Sequence, residues 1–205
     1  YLSEMSSIAV KCGGTIDKFI GDAMMVFFGD PETEGETSDA LKCIEMAIAM
    51  KTRVKELQKH WKQLGAKNGL QVRMGISNGY CTVGNFGSDL RLDYTVLGSP
   101  VNLAARLQAL ALENTILIDE NTNNLIENDV KTEHYKNIQP KGFSRPLETF
   151  LVKDFKSSTH IEKRKKLYHK GKRVEINVID SSDIRAAIEE LKRIQKEFEN
   201  NHFEK

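Results

Sequence analysis

Two short stretches of this chain place groups suited to phosphate chemistry at fixed spacing. In Gly13-Gly14-Thr15-Ile16-Asp17-Lys18-Phe19-Ile20-Gly21-Asp22-Ala23, the carboxylate of Asp22 falls at the tip of an expected hairpin, with the ammonium of Lys18 one strand-length before it. An Asp held on a rigid tip is a good Mg²⁺ ligand, because Mg²⁺ takes few protein carboxylates and fills its other positions with phosphate oxygens and water. Each residue also has a plain structural reading: Asp after Gly is ordinary turn chemistry, and Lys in a strand is commonly a solvated edge residue. The second stretch holds Asn102 and Arg106, one helical turn apart and so on one face of the helix that Ser99-Pro100 would open. An amide and a guanidinium placed there could steady charge on a transferring phosphoryl group, and the same pair also suits the wet face of an amphipathic helix. Lys141-Gly142 reads as a turn that touches phosphate only in the right surroundings. Gly75, Gly79, Gly84, Gly87 and Gly98 lack the spacing of a dinucleotide or P-loop cradle and read as turns and close strand contacts. His60, His134, His160, His169 and His202 have no metal-like pairing.

The elements that must hold these groups follow from periodicity. Leu2, Met5, Ile8 and Cys12 recur at helical spacing up to Gly13-Gly14, which stops the helix. Thr15–Ile20 and Ala23–Phe28 are two strands joined by Gly21-Asp22, a link with Gly first as a type II′ hairpin wants; the second run is apolar throughout and is expected to be buried on both faces. Residues 30–39 carry five acids, no base, one Pro and one Gly, the composition of an exposed loop, with Asp39 as a cap for the next helix. From Leu41 a stripe through Ile44, Ile48, Val54, Leu57, Trp61 and Leu64 makes that helix long and amphipathic. Val72, Met74 and Ile76 alternate, and Tyr80–Val83 resumes strand character, which reads as a second hairpin; 84–89 is then a loop and Tyr94–Leu97 a strand. Ser99-Pro100 begins a helix to about Ala111, with a hydroxyl cap, Pro in the first turn and Leu103, Leu107 and Leu110 facing the core. Thr115–Ile118 is a strand, Asn121–Ile126 a short helix and Thr149–Val152 a final strand. Strands and helices interleave, so an α+β sandwich of one mixed, mainly antiparallel sheet with packed helices is expected over residues 1–152. Residues 153–173 hold nine bases and two acids and read as a linker. Beyond it come a strand within 173–179 and a helix capped by Ser181 or Ser182, with Ile184, Ala187, Ile188, Leu191, Ile194 and Phe198 on one stripe.

Composition limits the partners. Thirty basic and 29 acidic side chains leave a net charge of +1, which gives no reason to expect nucleic acid or an anionic membrane. The longest apolar run, Ala23–Phe28, is far short of a membrane span, and three scattered cysteines suit reduced thiols in a cytoplasmic setting. Tyr1 stands where a helical pattern is already under way, so the chain reads as part of something longer.

Taken in order, GGTIDKFIGDAMMVFFGDP, VRMGISNGYCTVGNFGS, LDYTVLGSPVNLAARLQAL and KGFSRPLETFLV closely resemble successive motifs of class III adenylyl and guanylyl cyclase catalytic domains, over residues 1 to about 152. The resemblance implies a ferredoxin-like cyclase sandwich acting as a homodimer. In that family two aspartates of one protomer hold two Mg²⁺ or Mn²⁺ ions, and the partner supplies base-reading and transition-state residues. Carried over position by position, Asp22 is similar to the second metal aspartate, Lys18 and Thr95 to the adenine-reading pair, Asn102 and Arg106 to the transition-state pair, and Lys141 to a phosphate-binding lysine. Thr95 stands where many adenylyl cyclases have Asp, as in the subgroup described as bicarbonate-responsive. Guanine-specific members present a Glu and a Cys instead.

The function implied is conversion of ATP to 3′,5′-cyclic AMP and pyrophosphate, with regulatory domains elsewhere in the parent chain and no membrane contact from this segment. A guanylyl cyclase and a noncatalytic cyclase-like module are the alternatives, and a diguanylate cyclase is set aside because the hairpin reads Phe19-Ile20-Gly21-Asp22-Ala23 rather than GGDEF. One departure stands out: the family's first metal aspartate lies upstream of the Gly13-Gly14 block. These residues are therefore expected to lack one of two metal carboxylates and the first strand, leaving a sheet edge open and activity impaired.

Overall fold

In the computed structural model the first helix, α1 (Leu2–Lys11), ends where the glycine pair requires. Gly13 takes φ +80°, its N–H reaches Val10 O at 3.0 Å, and Gly14 N–H reaches Ala9 O at 2.9 Å. That is a Schellman closure, which satisfies the last carbonyls of the helix and turns the chain into a strand. The description covers residues 1–65, 69–88, 90–140, 143–156, 168–170, 174–177 and 184–203. They fall into two units, residues 1–156 and 157–205.

Strands β1 (Thr15–Ile20) and β2 (Ala23–Phe27) pair antiparallel around Gly21, whose φ of +63° a side chain would strain. The register slips between Ile16 and Lys18, so Asp17 is the extra residue of a β-bulge. Met24 to Phe27 are half-buried, and among the described residues β2 pairs with β1 alone; the expectation of a central strand covered on both faces is not met. Helix α2 (Glu36–Gln63) follows from an N-cap at Gly35. Asp39, expected as its cap, lies one turn inside and instead accepts the N–H of Glu34 at 3.3 Å, tying down the acidic loop.

Beyond α2 comes a four-stranded sheet in the order β3-β6-β8-β7, formed by β3 (Arg73–Ile76), β6 (Thr115–Asp119), β7 (Val130–Ile138) and β8 (Leu147–Phe155). β3 and β6 are parallel, and the other pairings are antiparallel. Helix α3 (Ser99–Leu110) lies on the path between the parallel pair, as a parallel crossover demands. β6 alternates its faces: Ile116 and Ile118 pack with Ile44 and Ala47 of α2, while Leu117 packs with Leu103 and Leu107 of α3. The sheet is thus covered by a helix on each side. Helix α4 (Glu120–Ile126) closes one end and is capped by the buried Asp119, which accepts Thr122 N–H at 3.4 Å.

The structure changes several expectations. The second hairpin is not built from Val72–Ile76 and Tyr80–Val83; it is β4 (Thr82–Ser88) with β5 (Arg91–Leu97), while β3 turns to a strand some forty residues later. The stretch expected as a loop at 84–89 is ladder through Ser88, where Gly87 lets the strands close tightly; a Cβ on Gly87 would lie 2.0 Å from Arg91 O. Strand β7 has no counterpart among the expected elements, since the extra residue Tyr135 breaks its alternation; a second bulge lies opposite, at Lys153 of β8. The α3 N-cap is Gly98 rather than Ser99, and Ala111 rather than Leu110 completes its buried stripe. Pairing is mixed and mainly antiparallel as expected, but among the described residues the strands of the first unit form a four-stranded sheet and two hairpins rather than one sheet.

The second unit contributes β9 (Tyr168–Lys170) antiparallel to β10 (Glu175–Asn177), and helix α5 (Ile184–Phe203), on which Ile188, Leu191, Ile194 and Phe198 are exposed. The expected Ser181 or Ser182 cap and most of the basic linker lie outside the described residues.

Candidate functional site

The bulge at Asp17 decides what the first hairpin presents. In a regular strand neighbours point to opposite faces, so Asp17 and Lys18 could not both approach one partner. In β1 they do: Lys18 Nζ donates to Thr95 Oγ1 at 3.0 Å, and Thr95 Oγ1 donates to Asp17 Oδ2 at 2.7 Å. Lys18 Nζ and Asp17 Oδ1 stand 3.5 Å apart, with the Asp17 side chain 1% exposed and that of Lys18 45% exposed. Thr95, on β5, is itself buried. The pair singled out in sequence as Lys18 and Thr95 is therefore one hydrogen-bonded unit, with a third member that sequence reasoning did not single out.

A second tie fixes β5 to the same hairpin. Tyr94 donates its hydroxyl to Asp30 Oδ2, and Thr15 Oγ1 donates to Asp30 O at 2.7 Å. The hydrogen bond to the Asp30 carboxylate, then burial and that carboxylate's charge, raise the Tyr94 phenol above the usual tyrosine range.

Asp22 sits exposed on the turn. The phenol of Tyr1 is raised first by burial and then by the charge of Asp22, which places the start of α1 beside the hairpin tip. Among the described residues no cluster of three or more His, Cys, Asp or Glu side chains could enclose a metal ion. A single exposed carboxylate suits an ion that draws its other ligands from phosphate and water, and Asp22 meets that condition.

Asn102 is exposed and Arg106 half-buried on α3, one turn apart as the spacing requires. Their height above the sheet is set by Gly75 of β3. A Cβ there would meet Ala104 O and Gln108 N, both backbone atoms, at 2.2 Å, so helix and strand approach as closely as only glycine permits. Within the described residues no hydrogen bond joins Asp22 or Asn102 to the Lys18–Thr95 pair. Lys141 lies outside the described residues.

Residues 4–154 match the family model described as the adenylate and guanylate cyclase catalytic domain. The chain is 32% identical over 164 residues to an adenylate cyclase of Anabaena cylindrica, an alignment covering 75% of this chain and 31% of that protein. It thus spans about a third of that relative's length, and less still of adenylate cyclase 1 of Rhizobium meliloti, to which it is 29% identical across 54% of this chain and 16% of the relative. Among solved structures it resembles the adenylyl cyclase CyaB from P. aeruginosa, with 50% identity, TM-score 0.73 and coverage of 75% of this chain and 79% of that one. It also resembles the guanylyl cyclase Cya2, with 30% identity, TM-score 0.71 and coverage of 77% and 79%. With three quarters of its length accounted for by one family and a matching α+β fold, the chain belongs to the adenylate and guanylate cyclase catalytic domains.

Proposed function

We propose that this domain is an adenylyl cyclase, which closes ATP to 3′,5′-cyclic AMP and releases pyrophosphate. The observation that carries the choice of ATP is the contact of Lys18 Nζ with Thr95 Oγ1 at 3.0 Å. An ammonium donates only, and a hydroxyl beside it can accept. Adenine offers a ring-nitrogen acceptor next to an exocyclic amino donor, so it meets this pair in the right order; guanine offers a ring N–H next to a carbonyl, the reverse order. The 50% identity to the adenylyl cyclase CyaB supports the same reading, against 30% to the guanylyl cyclase Cya2.

In this reading Lys18 and Thr95 hold the base, and Asn102 orients the ribose so that its 3′ oxygen faces the α-phosphorus. Arg106 opposes the negative charge that builds as the new P–O bond forms and the bond to pyrophosphate breaks. Lys141 holds phosphate. Asp22 would hold one divalent ion, which when bound lowers the pKa of the 3′ hydroxyl or neutralises the phosphates. The active unit is a homodimer, Asp22 of one chain facing Asn102 and Arg106 of the other. Support for an association surface comes from the two hairpins, whose Phe19, Ile20, Leu92 and Leu97 are all about half exposed or more.

The test is turnover of ATP and GTP at equal concentration by the protein at its natural length, with Mg²⁺ or Mn²⁺ supplied and the cyclic products separated. Cyclic AMP in large excess is expected. Cyclic GMP in equal or greater yield would transfer the assignment to a guanylyl cyclase, and no cyclic product from either would leave a noncatalytic module.

A further inference from the structure

We infer that Asp17 is the positioning residue for base selection: its buried carboxylate takes the proton of the Thr95 hydroxyl and leaves Thr95 able only to accept from a nucleobase. The inference rests on the adenylyl cyclase reading and adds to it the group that gives Thr95 its polarity. A threonine hydroxyl on its own cannot tell an amino group from a carbonyl, because it rotates to donate or to accept as its partner needs. At Thr95 that choice is removed. The ammonium of Lys18 has nothing but donors, so Thr95 Oγ1 must accept from it at 3.0 Å. The carboxylate of Asp17 accepts only, so the single hydroxyl proton goes to Oδ2 at 2.7 Å. One lone pair of Thr95 is left, which an exocyclic amino group can use and a carbonyl oxygen cannot.

The local backbone is built for this. Asp17 is the extra residue of the β1 bulge, and without the slip between Ile16 and Lys18 its side chain would leave on the face opposite Lys18. Its side chain is 1% exposed, so water does not compete for the hydroxyl proton, while Lys18, 45% exposed, keeps donors for a ring nitrogen. Asp17 need never touch the nucleotide. Its effect at the purine 6-position passes through Thr95, while its 3.5 Å ion pair with Lys18 steadies the donor to the neighbouring ring nitrogen alike for either 6-substituent.

The experiment uses two triphosphates that differ at one atom. N6-methyladenosine triphosphate carries an N–H at the purine 6-position, and 6-O-methylinosine triphosphate carries an oxygen there; both leave the neighbouring ring nitrogen as an acceptor for Lys18. Each is used to displace a fluorescent ATP analogue from the chain, beside ATP and GTP. The N–H compound should bind at least about tenfold more tightly, the discrimination expected of one good polar contact to a base. Asp17→Asn supplies a side chain that can donate as well as accept, so the gap should shrink to within about threefold. In a Thr95→Val background the same Asp17→Asn change should leave the ratio where it was, which a merely structural role for Asp17 would not produce. The comparison on the unaltered protein needs no variant and stands even if Asp17→Asn does not fold. Preference for ATP over GTP without separation of the matched pair would overturn the role of Asp17 alone, as would a gap that survives Asp17→Asn or shifts in the Thr95→Val background. Failure to separate ATP from GTP, or to bind either, would overturn the adenylyl cyclase reading and this inference with it.

Discussion

Lys18 and Arg106 are two cations in one unit, and as an adenylyl cyclase the domain would use them at different moments of the reaction. Lys18 would meet the base, which is uncharged and does not change during cyclisation, so its contribution would be equal in ground and transition states. Arg106 would face a phosphoryl group whose charge redistributes as bonds exchange. Lys18→Ala should therefore raise KM for ATP by roughly ten- to a hundredfold with kcat little altered, the loss of a hydrogen bond from a charged donor. Arg106→Ala should lower kcat by about a hundred- to a thousandfold with KM nearly constant. Steady-state kinetics on the natural-length protein separates the two, and the same pattern from both variants would mean that one of these roles is misassigned. Arg106 is legible in the sequence because helical spacing puts it on one face with Asn102, and Lys18 because its motif resembles that of the family. Asp17 stands next to Lys18 in the chain yet carries no such signal, because a bulge is a property of the pairing of two strands and leaves no mark in either one alone.

Elsewhere in the first unit, Cys43 of α2 lies in the cluster shared by α1, α2 and the first hairpin, with Cys12 nearby. Burial, with a smaller contribution from Cys12, pushes its thiol up to about 12 from the ordinary value of 9.0. The folded state thus holds this proton over a range in which the unfolded chain releases it. The associated stability is complete below pH 9 and is lost as pH rises from there towards 12. Lys and Tyr side chains titrate in the same range, so the informative quantity is a difference: between about pH 8.5 and 11 the urea midpoint of the unaltered chain should fall further than that of Cys43→Ala. Parallel curves would show that the Cys43 thiolate is tolerated in the fold.

At the scale of elements, the close approach of β3 and α3 is the joint on which Asn102 and Arg106 depend. Gly75→Ala would place a methyl carbon 2.2 Å from two backbone atoms of α3, and neither can rotate out of the way as a side-chain end could. The helix must lift, at a cost of about 1–3 kcal/mol of overpacking, or roughly 2–12 °C in Tm for a chain of this size. Activity should fall further than the stability loss explains, since Asn102 and Arg106 move with the helix. A thermal melt and a rate measured well below Tm check both parts, and unchanged values would show that the strand yields instead. The same elements show what local pattern can and cannot reveal. α1, the first hairpin, α2 and α3 are readable because each closes on its own neighbours with a clean period. The partner of β3 begins at Thr115, and nothing near Arg73 announces it, so local pattern makes a parallel strand look like half a hairpin. β7 carries Lys131, Glu133, His134 and Lys136 and a bulge at Tyr135, and it becomes a strand only because β8 is there to pair with it.

At the scale of the whole molecule, the proposed chemistry draws each site from two chains. Lys18, Thr95 and Asp17 form one bonded unit, whereas Asp22 and Asn102 have no hydrogen bond to it among the described residues. Motifs can name those residues, but no pattern within one sequence reports which of them meet across a twofold axis. If each site takes Asp22 from one protomer and Arg106 from the other, Asp22→Asn and Arg106→Ala homodimers are both inactive, since every site lacks a part. Mixed together and allowed to exchange, half the dimers contain one chain of each kind. In those, one site carries both lesions and the other carries neither, so the mixture should recover about a quarter of unaltered activity, by the site-sharing logic that symmetric dimers impose. If the two groups serve the same site from the same chain, every site in every dimer keeps a lesion and mixing restores nothing. Activity measured before and after equilibrating the two natural-length variants at equal concentration therefore decides whether the catalytic site is shared between protomers.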